Sequence, residues 1–168
     1  RSKLEDETST WLDWSEEQLN SRKMELRESL MSESESGKIT MVEWNNAWTK
    51  LTRSMDIYRT ISVIELGGNH AEYHSADVTD SDAIIAAVGG RSVTGIVHGA
   101  GLEESKLVAD KQWKTFDLIV RVKVDGWKAL ISAVGDDLRF ACAFTSVAGR
   151  FGNDGQTDYA AANSILDA

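Results

Sequence analysis

The sequence has no proline, a single cysteine, and no apolar run approaching the length of a membrane-spanning helix. The lack of proline favours no fold class by itself. The lone cysteine, Cys142, excludes an internal disulfide and a cysteine-rich metal site. His70, His74 and His98 lack metal-ligand spacing. The opening residues do not read as a signal peptide, so the expected setting is the cytoplasm. Positive charge is also short: 18 Lys and Arg against 27 Asp and Glu give a formal net charge of −9. That balance argues against a nucleic-acid face or an anionic membrane surface as partner. What remains is a chain of 168 residues, 42% hydrophobic and 27% charged, with the composition of one soluble globular domain.

The pattern changes near residue 68. Before it, charge and tryptophan dominate and the period is helical. The stretch STWLDWSEEQLNSRKMELRESLMSE predicts a helix with Ser9 or Thr10 as N-cap and Leu19, Leu26 and Leu30 along one face. After a polar connector at Ser32–Lys38, Thr40 and Glu43 form a T-x-x-E capping box. Trp44, Trp48, Leu51, Met55 and Tyr58 then make an apolar stripe that runs toward Gly67 and Gly68, a natural helix stop. Beyond residue 68 strands and helices alternate. AEYHSADV, SVTGIVHGAG and LRFACAFTSVAG read as strands. TDSDAIIAAVGG, a long stretch opened by Asp110 as N-cap, and TDYAAANSILDA read as helices. Continuous apolar strands alternating with helices predict a parallel sheet covered on both faces.

One residue breaks its pattern. The long helix buries Phe116, Ile119, Val120, Trp127, Leu130 and Val134, and at about 100° per residue Lys123 falls near the centre of that stripe. Lysine is seldom buried without a partner. Either Lys123 snorkels to the edge, or it reaches the end of the following strand, where Ser146 lies. Tyr159 follows Ser146 by thirteen residues, and Asn163 follows Tyr159 by four. Taken singly, Ser146 reads equally well as a strand-end turn residue and Tyr159 as a helix-start aromatic. His98 reads as a hydrogen-bonded strand-end residue, and Cys142, alternating with Phe140 and Phe144, as core.

HGAG at a strand end, VRVKVDG in the next helix and FTSVAGRFGNDGQTDYAAAN together resemble the ketoreductase domains of modular polyketide synthases and polyunsaturated fatty acid synthases. These belong to the short-chain dehydrogenase/reductase superfamily. In most of that superfamily a lysine follows the tyrosine by four and an asparagine sits in the preceding long helix. In synthase ketoreductases the two are exchanged, as they are here in Lys123 and Asn163. The resemblance covers roughly residues 57–168. It implies an α/β, Rossmann-like doubly wound parallel sheet lacking its first βαβ unit, preceded at 1–56 by a helical insertion.

The implied activity is NADPH-dependent reduction of a β-ketoacyl chain on an acyl carrier protein to the β-hydroxyacyl form, beside the other domains of a multidomain synthase. Tyr159 would be the general acid. Phenols titrate near pH ~10, high for acid–base work at neutral pH, and an adjacent ammonium favours the phenolate. Lys123 would supply that ammonium and bond the nicotinamide ribose. Ser146 would hold the substrate carbonyl oxygen, and Asn163 would position a water or the lysine in a proton relay. Lys123 Nζ is expected within hydrogen-bond reach of the Tyr159 hydroxyl and Asn163, directly or through one water.

The implied cofactor contacts are Gly99, Ala100 and Gly101 by close backbone approach, Asp77 and Val78 on the adenine side, and Arg1 and Ser2 at the 2′-phosphate. A turn role is open to Gly99 and Gly101, and a helix-capping role to Asp77. The glycine-rich phosphate loop G-x-G-x-x-G is missing. A doubly wound sheet orders its strands 3-2-1-4-5. The chain offers candidates for strand 3 (near 71–76), strand 4 (near 93–99) and strand 5 (near 140–145). The gap left by strands 1 and 2 is about 14 Å wide. Either another segment fills it, or strand 3 packs against strand 4 in another order, in which case the fragment alone would not bind NADPH. The stereochemical marks of the family are not intact: Phe151 and Ser105 stand at the two diagnostic places. Two other readings remain, a non-catalytic structural or docking segment of a synthase and a stand-alone alcohol dehydrogenase. The missing loop favours the first, and the exchanged Lys and Asn disfavour the second.

Overall fold

A computed structural model describes residues 4–168; Arg1 and Ser2 lie outside the described residues. The chain forms two compact units, Arg1–Ser75 and Ala76–Ala168.

The first unit is helical. A 3-10 turn at Asp6–Trp11 leads to helices α1, Glu16–Glu33, and α2, Met41–Leu66. The N-cap of α1 is Ser15, not Ser9 or Thr10. Ser15 and Gln18 make a reciprocal capping box, which satisfies two backbone donors at once. The Ser9 and Thr10 hydroxyls instead bond back to Asp6 and Glu7 carbonyls within the 3-10 turn. Thr40 and Glu43 cap α2 as expected, and α2 ends at Leu66 before Gly67 and Gly68. Residue 56, the expected division, falls inside α2. The core is Trp11 stacked on Trp14 and Trp48, with Leu51 and Met55 beneath and Leu19 and Leu26 packed against it.

The second unit carries α3 (Ser81–Val88), β1 (Gly95–His98), α4 (Trp113–Ala133), β2 (Phe140–Ala143), α5 (Val147–Phe151) and α6 (Thr157–Asp167). The strands β1 and β2 pair in parallel, Gly95 with Phe140 through His98 with Ala143. Helix α4 is the crossover between them, the connection parallel strands require. It packs on β1, α3 and α6. The architecture is therefore a partial Rossmann-like α/β fold with a short parallel sheet.

Three expectations are corrected. Residues 71–76 are not assigned as a strand: among the described residues the sheet consists of β1 and β2. Asp110 does not cap α4 but ends a separate 3-10 turn, Val108–Asp110, and Gln112 stands at the N-cap. Cys142 is half-buried, while Phe140 and Phe144 on the same side of β2 are exposed.

Helix α5 packs on α6 through Gly149. A Cβ there would lie 2.9 Å from Ser164 N and 3.0 Å from the carbonyl carbon and Cβ of Asn163. Two of these atoms belong to backbone, so the helices would have to separate. Gly149→Ala is expected to destabilise the second unit by about 1–3 kcal/mol, read as a lower denaturant midpoint.

Candidate active site

The apolar face of α4 rests on the sheet, and Lys123 lies within it, 4% exposed. Its Nζ donates to the Phe144 carbonyl at 2.5 Å, just past the end of β2 and two residues before Ser146. Burial pushes the ammonium's pKa below its ordinary value. The backbone of the same residue is tied to the other strand. His98 Nε2, at the end of β1, donates to the Lys123 carbonyl at 3.0 Å, which fixes the protonated nitrogen of that ring. His98 is 1% exposed and a hydrogen-bonded strand-end residue.

Two glycines permit this approach. A Cβ at Gly101 would stand 3.0 Å from Lys123 Cε. At Gly126, one turn along α4, it would meet His98 Cε1 and Val78 Cγ2, each at 3.1 Å. Gly99 is looser, its Cβ position in ordinary contact with the Phe144 ring at 3.5 Å. Gly101 thus has a packing reason beyond its turn, and Val78 packs against α4. Ala100, between the glycines, is half-buried.

Ser146 has extended backbone and caps α5, its Oγ accepting from Ala148 N at 3.2 Å. Accepting that bond leaves its own O–H to donate elsewhere. Tyr159 sits in the first turn of α6, half-buried, with no hydrogen bond to its hydroxyl among the described residues. Asn163 is fully buried. Its Nδ2 donates to the Tyr159 carbonyl at 2.7 Å, and its Oδ1 has no partner among the described residues. Turning the amide over would set Oδ1 against that carbonyl, so the orientation is determined. No hydrogen bond joins Lys123 directly to Tyr159 or Asn163 among the described residues; the lysine's partner is the Phe144 carbonyl. Asp77 Oδ1 accepts from the backbone and hydroxyl of Thr79, and the N-cap of α3 is Asp80.

Sequence reasoning missed one buried pair beside Tyr159, Lys111 with Asp158. The hint was Asp158 itself, an acidic residue in the first turn of α6.

An ammonium delivered to the end of a parallel strand, beside a capping serine with a donor to spare, suits chemistry at a carbonyl oxygen. The comparisons with known proteins agree. The family model of the KR domain matches residues 30–168, and the chain belongs to that family. It is 36% identical over 133 residues to a polyunsaturated fatty acid synthase of Thraustochytrium, an alignment covering 72% of this chain and 5% of that protein. Among solved structures it resembles an N-terminal ketoreductase from the macrolactin assembly line: TM-score 0.62, 29% identity, 68% of this chain and 24% of that one. A ketoreductase domain from the bacillaene assembly line follows: TM-score 0.58, 30% identity, 77% and 30%. The chain thus spans a small part of its relatives. Domains of this family are oxidoreductases that use a nicotinamide cofactor.

Burial lowers the pKa of His98 below its ordinary 6.5; the Lys123 ammonium adds to this and the bond to the Lys123 carbonyl opposes it. Between the lowered value and 6.5 the unfolded chain binds more protons than the folded one. Stability present above pH 6.5 is therefore lost as pH falls through that window. His98→Gln keeps a donor but cannot titrate. Its denaturation free energy should vary less with pH below 6.5 than that of the wild type.

Proposed function

We propose that this chain carries the catalytic residues of an NADPH-dependent ketoreductase that reduces a β-ketoacyl chain, carried on an acyl carrier protein, to the β-hydroxyacyl form within a multidomain synthase. The observation that carries the reading is the buried ammonium of Lys123, held at the end of β2 by the Phe144 carbonyl.

The residues fit the nicotinamide end of such a cofactor. Lys123 spends one N–H on Phe144 and retains two, and Asn163 offers a buried acceptor without a partner among the described residues. Lys123 would hold the ribose hydroxyls, and Gly99, Ala100 and Gly101 would let the backbone come close. Asp77 would serve the adenine, with its Oδ1 shared with Thr79. The cofactor, when bound, supplies the hydride.

The chain's own residues handle the oxygen. Ser146 donates its O–H to the substrate carbonyl and keeps the Ala148 amide on its lone pair, which fixes the hydroxyl's direction. Tyr159 gives the proton. Lys123, in a site of low dielectric, stabilises the negative charge left on the phenol oxygen more strongly than it would in water. Asn163 holds the Tyr159 carbonyl, and so the turn that aims the ring. Its free Oδ1 can accept from a water that returns a proton.

In the full-length protein, Tyr159→Phe is expected to lower reduction of a β-ketoacyl thioester by about 10²–10⁴-fold, the usual worth of a positioned acid. NADPH binding, followed by nicotinamide fluorescence, should persist because only the proton donor is lost. Near-normal turnover would remove Tyr159 from this role.

A further inference from the structure

Tyr159 lies in the first turn of α6, where backbone donors lack helical partners and fraying begins. The N-cap, Gln156, makes no side-chain bond to this turn. Asp158 supplies the missing acceptor: its Oδ1 takes the Tyr159 amide at 2.9 Å. That carboxylate is in turn held by Lys111, whose Nζ lies 2.8 Å from Oδ1 and 2.9 Å from Oδ2. The same Nζ donates to the Glu104 carbonyl at 2.8 Å. The ammonium has three acceptors for three protons, and the two side chains are only 6% and 1% exposed.

A buried ion pair rarely stabilises a fold more than apolar residues of the same volume would. Its distinctive contribution is direction. This pair joins the segment between β1 and α4 to the turn carrying Tyr159, and a second seam runs alongside. Lys106 N donates to the Gly155 carbonyl at 2.9 Å. Gly155 adopts φ +75°, and a Cβ there would stand 3.3 Å from Lys106 N.

We propose that Lys111 and Asp158 form a positioning pair for Tyr159, fixing the first turn of α6 and hence the direction of the phenol; this rests on the reading of Tyr159 as proton donor. An apolar pair would hold the elements together but would leave the Tyr159 amide without its acceptor and the turn free to shift.

The test uses the full-length protein, with turnover expressed per site that binds NADPH. Asp158→Asn and Lys111→Met should each lower kcat per competent site about tenfold or more, the scale on which small misplacements act. KM and the NADPH Kd should stay within about threefold. The double variant should lose no more than the worse single one, because both act through one contact. Unchanged kcat per competent site in either folded variant would overturn the proposal. So would losses that multiply in the double variant. Loss of NADPH binding and of the folded circular dichroism signal in both single variants would make the pair a folding element and overturn it too. Tyr159→Phe is read separately: normal turnover there sinks the proton-donor reading, whatever the pair variants do.

Discussion

An ammonium sunk in the apolar face of a helix must find an acceptor or give up its charge, and the second unit is arranged around that demand at Lys123. The lysine is anchored at both ends. Its Nζ reaches the Phe144 carbonyl past β2, and its own carbonyl receives His98 from β1. One residue of α4 thereby registers the crossover helix against both strands. The sliding of α4 that an apolar interface would tolerate is blocked, since a shift of one turn would break both bonds and bury an unpaired charge. The glycines follow as consequences. Gly126 lets α4 come down onto His98 and Val78, and Gly101 leaves room for the lysine stem.

Placement of the lysine on α4 rather than α6 changes what α6 must do. Asn163, a turn beyond Tyr159, is too short to cross to the sheet and bonds the Tyr159 carbonyl within its own helix. That leaves a buried Oδ1 without a donor among the described residues, a cost of about 1–3 kcal/mol if it stayed so. A fold seldom keeps such an acceptor for stability alone. Its position beside the tyrosine turn is what the proton-relay reading would require of it.

The fold was readable where the local pattern and the long-range structure agree. Lys123 stood out because helical periodicity forces a residue of that number onto the apolar stripe, whatever its chemistry. The Thr40 box and the stop at Gly67 were readable for the same reason: caps are local. Ser15 with Gln18 is an S-x-x-Q box and was equally open to reading, but Ser9 and Thr10 drew the start of the helix too early. The residues near 71–76 failed for a different cause. A strand is completed by its neighbour, and no local pattern says whether one is present. Pairing of Lys111 with Asp158 lay beyond any periodicity, because the two are brought together only when α4 and α6 pack.

The candidate site is held by packing on both sides of Tyr159. Ser146 caps α5, and α5 meets α6 at Gly149 with almost no clearance to Asn163. Helix α4, which carries Lys123, packs on β1 and on α6. Ser146 lies shortly after β2, near the Phe144 carbonyl that the lysine holds. The Lys111–Asp158 pair adds a contact just ahead of α4 in the chain and in the first turn of α6. In the proposed reading, the packing of α4 on α6 sets how the two helices lie, and this pair sets the first turn from which the Tyr159 ring departs.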